Sequence, residues 1–172
     1  MRNEDKKIIN IQSNKSLRLD NVLIRDVITM TVAETEDGSE NEDFSLELEV
    51  EKMTNEIKTK GANQIGPLIQ YSCASGDVDA FEIKVSLMLQ ADRYINNVSA
   101  PYRMESVVQA KNCMYTRFTG AEEDMQYAYQ KIQVTAYEED LKLKGSSYTI
   151  FLDSNDEGNI TADIFMEKME EC

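Results

Sequence analysis

Glu122-Glu123-Asp124-Met125-Gln126-Tyr127-Ala128-Tyr129-Gln130-Lys131-Ile132-Gln133-Val134-Thr135-Ala136 is the stretch whose reading decides the fold. Met125, Tyr129, Ile132 and Ala136 recur at the spacing of one helix face. Three acids fill its first turn, where the helix dipole favours negative charge. The helix is predicted within Ala121 to Lys144, with Lys142 and Lys144 in its last turn and Gly145 as its stop. Upstream, Glu105 to Thr119 has strand composition and ends at Gly120. Downstream, Tyr148 to Asp153 and Ile160 to Met166 read as two strands joined by the turn-forming residues 154–159.

The same order stands earlier in the chain. Leu17 to Ala33 is rich in Val, Ile, Leu and Thr, as a long strand or hairpin half would be. Leu46, Val50, Met53 and Ile57, widened by Phe44 and Leu48, mark a second amphipathic helix that stops at Gly61. Ile65 to Ser72 and Ala80 to Leu89 are the two strands that follow, with Ser75-Gly76-Asp77 between them. Placing Val22 on Val107, Gly61 on Gly145 and Ile83 on Ile164 gives offsets of 85, 84 and 81 residues. Strand, helix, strand, strand thus occurs twice, which argues for an internal duplication. One half alone would leave a sheet face bare, so the two are expected to share a surface. The predicted class is α+β, two βαββ halves with mostly antiparallel sheets and two long helices on one side. Residues 1–16 read as a loose arm or short edge strand, 17–168 as one domain with halves at about 17–95 and 102–168, and 169–172 as a tail.

Composition excludes much. The 172 residues carry 18 Lys plus Arg against 32 Asp plus Glu, a net charge of −14, so binding of DNA or RNA through a basic face is disfavoured. No histidine is present, which removes His-based triads, His metal sites and His general bases. No apolar run approaches the roughly 20 residues of a membrane span, and no signal peptide is evident. A soluble, cytoplasmic protein is expected. Cys73, Cys113 and Cys172 form no CxxC pair and are read as reduced thiols, and Cys172 does not fit a prenylation signal. The segment Asp153 to Ile160 resembles a calcium loop, but Ile164 occupies the position of its bidentate glutamate, so it is read as a hairpin turn. The acidic stretch Glu34 to Glu51 is read as a solvated face, or else as a surface for a basic partner. No phosphate loop, metal site, cofactor site or catalytic residue is assigned.

Tyrosine is more informative. Tyr71, Tyr115, Tyr127, Tyr129, Tyr137 and Tyr148 sit on or beside the predicted strands and second helix, either packing a core or walling a pocket for a flat or cationic small molecule.

The chain resembles the GyrI-like small-molecule-binding domain, the effector-binding domain of bacterial transcription activators. The matching pieces are Tyr115-Thr116-Arg117-Phe118-Thr119-Gly120, the helix after it, Ser147-Tyr148-Thr149-Ile150-Phe151-Leu152 and Thr161-Ala162-Asp163-Ile164-Phe165-Met166-Glu167. The first half matches in Gly66-Pro67-Leu68-Ile69-Gln70-Tyr71 and Phe81-Glu82-Ile83-Lys84-Val85. The resemblance implies two halves about a pseudo-twofold axis with a ligand pocket between them. The glutamate usual in the aromatic–Glu–aliphatic–aromatic strand is replaced here by Thr149, and the proline near the end of the last strand is absent. Both departures count against cation binding by that acid and against acid-dependent hydrolysis.

The reading that follows is a stand-alone, non-enzymatic module that senses or sequesters a hydrophobic or aromatic compound, since residues 1–16 are too short for a DNA-binding region. The alternative is an acidic protein-interaction module that engages a basic partner or imitates DNA; a small hydrolase comes third. The expected ligand-binding residues are Tyr71, Tyr115, Tyr148, Thr149, Phe151, Phe165, Glu82 and Asp163. Strand alternation splits Tyr148 and Ile150 from Thr149 and Phe151, and by family position the second pair is expected to face the cleft. Glu82 and Asp163 correspond under the repeat. A neutral pocket is expected, and Thr149→Glu would then raise affinity for aromatic cations.

Overall fold

The computed structural model describes residues 10–31, 45–75 and 82–169. Phe44, Phe81, residues 76–80, most of the acidic stretch, the first nine residues and the last three lie outside them. The chain runs β1 (Gln12–Thr31), α1 (Leu46–Thr59), β2 (Gln64–Ser75), β3 (Glu82–Ala91), β4 (Arg103–Ala121), α2 (Met125–Glu138), β5 (Leu143–Ser154) and β6 (Asn159–Lys168). A short 3-10 turn, Glu122–Asp124, leads into α2.

Every strand pair is antiparallel, and the six strands close into one barrel in the order β1-β3-β2-β5-β6-β4. Closure corrects the expectation of separate sheets. Each βαββ unit would expose unpaired strand edges, and pairing β1 with β4 and β2 with β5 satisfies them.

The helices lie outside the barrel on different strands. Met53 and Ile57 of α1 pack on Leu23, Leu87 and Leu89. Ala128, Ile132 and Ala136 of α2 pack on Met114, Phe118, Ile164 and Met166. β3 and β6 are therefore covered on both faces, which explains their near-continuous apolar runs. Leu46 and Leu48, expected on the buried stripe of α1, are exposed at its first turn.

Both helices end in the same hydrogen-bond pattern. Gly61 N–H donates to Lys58 O and Ala62 N–H to Ile57 O; likewise Asp140 N–H donates to Tyr137 O and Leu141 N–H to Ala136 O. Asp140, at φ 58°, takes the left-handed position that Gly61 takes in α1, so α2 stops before Lys142 and Gly145 is not its cap. Gly145 instead lies in β5, where the register with β6 shifts between Leu143 and Ser147. Its φ is 91°, and a Cβ there would stand 2.9 Å from Ala74 O. Gly145→Ala is therefore expected to destabilise by more than about 2 kcal/mol, from left-handed strain plus a backbone clash. At Gly61, also left-handed but with nothing near, the same change should cost only about 1 kcal/mol. Urea denaturation of both variants checks the ranking; equal losses would mean that the contact with Ala74 does not matter.

The third cluster of buried side chains comes from all six strands and from neither helix: it fills the barrel. In β1 the inward residues change from Leu17 and Leu19 to Val22 and Ile24, across Asn21 at φ 54°. In β4 they change from Ala110 to Cys113 and Tyr115, across Asn112 at φ 57°. A left-handed residue in a strand swaps its faces, so these asparagines decide what the interior of the barrel contains.

Candidate functional site

One rank of register partners crosses the barrel wall. Tyr115 of β4 lies opposite Phe165 of β6, Phe165 opposite Tyr148 of β5, Tyr148 opposite Tyr71 of β2, and Tyr71 opposite Ser86 of β3. Cross-strand neighbours on one face touch. The Tyr71 and Tyr148 ring centroids are 4.7 Å apart, and those of Tyr115 and Phe165 are 4.8 Å apart, both pairs tilted. Tyr115, Tyr148 and Phe165 are buried and Tyr71 is half-buried. Lys15 Nζ stands 5.4 Å from the Tyr115 ring centroid. The rank ends at Ser86, whose hydroxyl donates to Asp26 of β1.

Two carboxylates flank the rings. Tyr115 OH donates to Asp163 Oδ1 at 2.7 Å, and Arg117 donates through Nε at 2.8 Å and through a terminal nitrogen to Oδ2 at 3.1 Å. This bidentate pair neutralises Asp163 in place. On the other side of the rank, Glu167 accepts from Ser146 Oγ and from Lys144 Nζ, each at 3.3 Å.

Burial, and after it the Glu167 carboxylate, holds the Tyr148 hydroxyl up at about 12. Burial likewise raises Tyr71, and raises Tyr115 with help from its bond to Asp163. Burial then Glu167 push the Cys113 thiol up to about 11, which keeps it protonated and unreactive at neutral pH. The folded state thus keeps phenolic protons that an unfolded chain releases near pH 10. Stability is expected to begin to fall near pH 9, where an unfolded chain would ionise the Cys113 thiol, and to fall more steeply from pH 10 toward 12 as the phenols follow. Urea midpoints at pH 9 and pH 11 check this, and an unchanged midpoint would contradict the burial of these hydroxyls.

Four of the five expected aromatics, Tyr71, Tyr115, Tyr148 and Phe165, are brought together, and Asp163 lies one rank away, beside Ile150. Glu82 shares the inward face of β3 with Ser86, but four residues along the strand, about 13 Å from the rank. Thr149 and Phe151 stand on the opposite face of β5. Thr149 is hydrogen-bonded to the Tyr129 hydroxyl of α2, outside the barrel wall, and Phe151 is half-buried two residues on. The alternation expected for this strand holds, but the inward pair is Tyr148 and Ile150. Helix α2 claims the other face. Tyr127 and Tyr137 are exposed on α2, Tyr137 at 86%.

Arg117 and Glu167 were not expected at the site. The alternation Asp163, Phe165, Glu167 along β6 carries the signal for the second, because it puts all three on one face.

No protein-family model matches the chain, and no curated protein matches it in sequence. Solved structures do. The C-terminal domain of EcmrR superposes with a TM-score of 0.65 at 9% identity, covering 95% of this chain and 99% of that one. The chain has the fold of a GyrI-like effector-binding domain. An uncharacterized conserved protein from Listeria innocua shares this GyrI-like fold with a TM-score of 0.57 at 12% identity, covering 90% and 92% of the two chains. A hydrolase from Listeria innocua matches with a TM-score of 0.52 at 14% identity, covering 95% and 93%. Among the described residues no helix is long and apolar enough to cross a membrane, and no three Cys, Asp or Glu side chains are grouped to hold a metal.

Proposed function

We propose that this GyrI-like domain binds a small neutral hydrophobic or aromatic compound inside the barrel, as a sensing or sequestering module without catalysis. The carrying observation is the rank Tyr115–Phe165–Tyr148–Tyr71, four rings side by side on four adjacent strands. The neutral character of the ligand is supported by the flanking acids: Arg117 engages Asp163, and Lys144 engages Glu167. An entering cation would have to displace one of these partners. The ligand-binding set is then Tyr71, Tyr115, Tyr148 and Phe165. Asp163 supports Tyr115, and Thr149, Phe151 and Glu82 act from outside the ring cluster.

The two βαββ units, in one domain, are read as pseudo-twofold equivalents. In support, exchanging β1 with β4, β2 with β5 and β3 with β6 leaves the pairing order of the barrel unchanged. The net charge of −14 supports action without direct nucleic-acid contact. A second reading, an acidic module for a basic protein partner, is favoured by one observation: the rings already pack on one another, so the interior is filled by its own side chains.

A thermal-shift screen with neutral and cationic aromatic compounds separates the readings. The chain lacks tryptophan, so tyrosine fluorescence serves as a second readout. A neutral ligand at about 100 times its Kd stabilises by about 2.7 kcal/mol, a rise of roughly 5–10 °C in Tm. Preference for cations would overturn the neutral assignment. If no compound from either set shifts Tm or fluorescence, the binding reading fails and the interaction reading stands.

A further inference from the structure

A cavity of about 970 Å³ opens beside the middle of β4 and the last residue of β6, and is lined by Asn14, Asn112, Leu141, Lys142, Lys168 and Met169. Asp140 completes its rim. Its walls come from four places in the chain: β1, β4, the α2–β5 link and the end of β6. Two of these walls are tied together, since Met169 N–H donates to Lys142 O at 2.7 Å. Asp140 and Leu141 are held by the hydrogen bonds that end α2. The volume lies within the range of sites for metabolite-sized ligands.

The lining charge is unusual for this molecule. Two lysines face one aspartate in a chain of net charge −14. The ion pairs among the described residues include neither Lys142 nor Lys168. Lys168 Nζ donates instead to the neutral amide oxygen of Asn14. That bond turns the Asn14 amide oxygen toward the ammonium and leaves the amide N–H groups as further donors.

The backbone supplies a second observation. Asn14 and Asn112 have φ of 62° and 57°, and the β1–β4 register shifts on both sides of Lys15. Glycine adopts such angles without steric cost. Both positions carry a primary amide instead, and both amides line the same cavity. Bulges of this kind re-aim side chains, often next to binding sites. Two ammonium groups and two amides that converge on one cavity match the needs of an oxyanion, while Leu141 and Met169 offer apolar surface to the carbon part of its carrier.

We propose that this cavity is a second binding site, for a small organic oxyanion, a carboxylate or a phosphate monoester, held by Lys142, Lys168, Asn14 and Asn112. It goes beyond the neutral ligand proposed for the barrel interior and does not depend on it.

The test is a titration of the 15N-labelled full chain, followed by NMR, with succinate, with glycerol phosphate, and with sodium chloride at matched ionic strength. At least one organic anion should give saturable shifts at the amides of Asn14, Asn112, Leu141, Lys142 and Met169, and chloride should give none. The two organic probes tell carboxylate from phosphate. Lys142→Gln and Lys168→Gln should each weaken that binding about tenfold, the loss of one charge-assisted hydrogen bond. Asn112→Gly keeps the left-handed backbone and removes only the amide, so it should also weaken binding while the melting temperature stays near that of the parent. Non-saturating shifts for both anions, shifts that chloride reproduces, or variants that bind as tightly as the parent would each overturn the site. None of these outcomes bears on the aromatic interior, whose ligand shifts Tyr71, Tyr115, Tyr148 and Phe165.

Discussion

Thr149→Glu is expected to lower the stability of the protein by about 3–5 kcal/mol, roughly a 10 °C fall in Tm, and to bring no gain in affinity for aromatic cations. Thr149 is 2% exposed and its hydroxyl meets that of Tyr129 under α2. A glutamate there carries its carboxylate to the helix side of the wall, while the rings lie on the other side. Its neighbours in the ladder are Gln70 and Ile164, and neither supplies a cation. Burial would raise the pKa of the new acid, so the destabilisation grows as the pH rises above about 4.3, the ordinary glutamate value, and shrinks toward acid. Thr149→Val keeps the shape and removes the partner of the Tyr129 hydroxyl, at about 1–3 kcal/mol. Urea denaturation at pH 5 and pH 8 checks both variants. A Thr149→Glu protein as stable as the parent, with tighter cation binding, would mean that this strand is assigned to the wrong face.

Tyr148→Ala should cost about 3–5 kcal/mol and abolish the thermal shift produced by a neutral aromatic ligand. Tyr148 is the centre of the rank, 6% exposed, with Tyr71 on one side and Phe165 on the other. Removing the ring leaves a void that both neighbours face. Tyr148→Phe keeps the ring and loses one hydroxyl, so it should cost about 1 kcal/mol and keep the ligand response. If the alanine variant kept the whole ligand-induced shift, the interior would not be the binding place, whatever its stability.

The element order was legible because its signals are local. Met53 with Ile57, and Ile132 with Ala136, announce helices by spacing, and the α1 stop at Gly61 is a matter of a few residues. The end of α2 was not legible, because an aspartate does at position 140 what glycine does at 61. The four aromatics of the candidate site are among the five named from strand composition and the family resemblance; the fifth, Phe151, stands on the other face of β5. Their face could not be read on β5, because alternation divides a strand into two sets without saying which set a helix will cover. Nor could closure be read, since the β1–β4 and β2–β5 pairings join residues 73 to 103 positions apart, such as Leu23 with Met104 and Tyr71 with Tyr148. Asn21 and Asn112 are short polar residues within strands, and nothing in their identity shows that they reverse the inward set.

The two seams that close the barrel also bear on how fast it can form. Hairpins such as β5–β6 need only a short turn, in which Asn155 Oδ1 accepts from Glu157 and Asn159 N–H groups, and can assemble in microseconds. The seams need distant segments to meet, and the loop-closure entropy is lost before any ladder bond repays it. Folding should therefore be slow for a chain of this size, in the millisecond-to-second range of barrels rich in distant pairings. Until the seams zip, each half carries open edges that can pair with another chain. The interval before closure is then the period of aggregation risk, and a nascent chain cannot leave it before β4 and β5 have emerged.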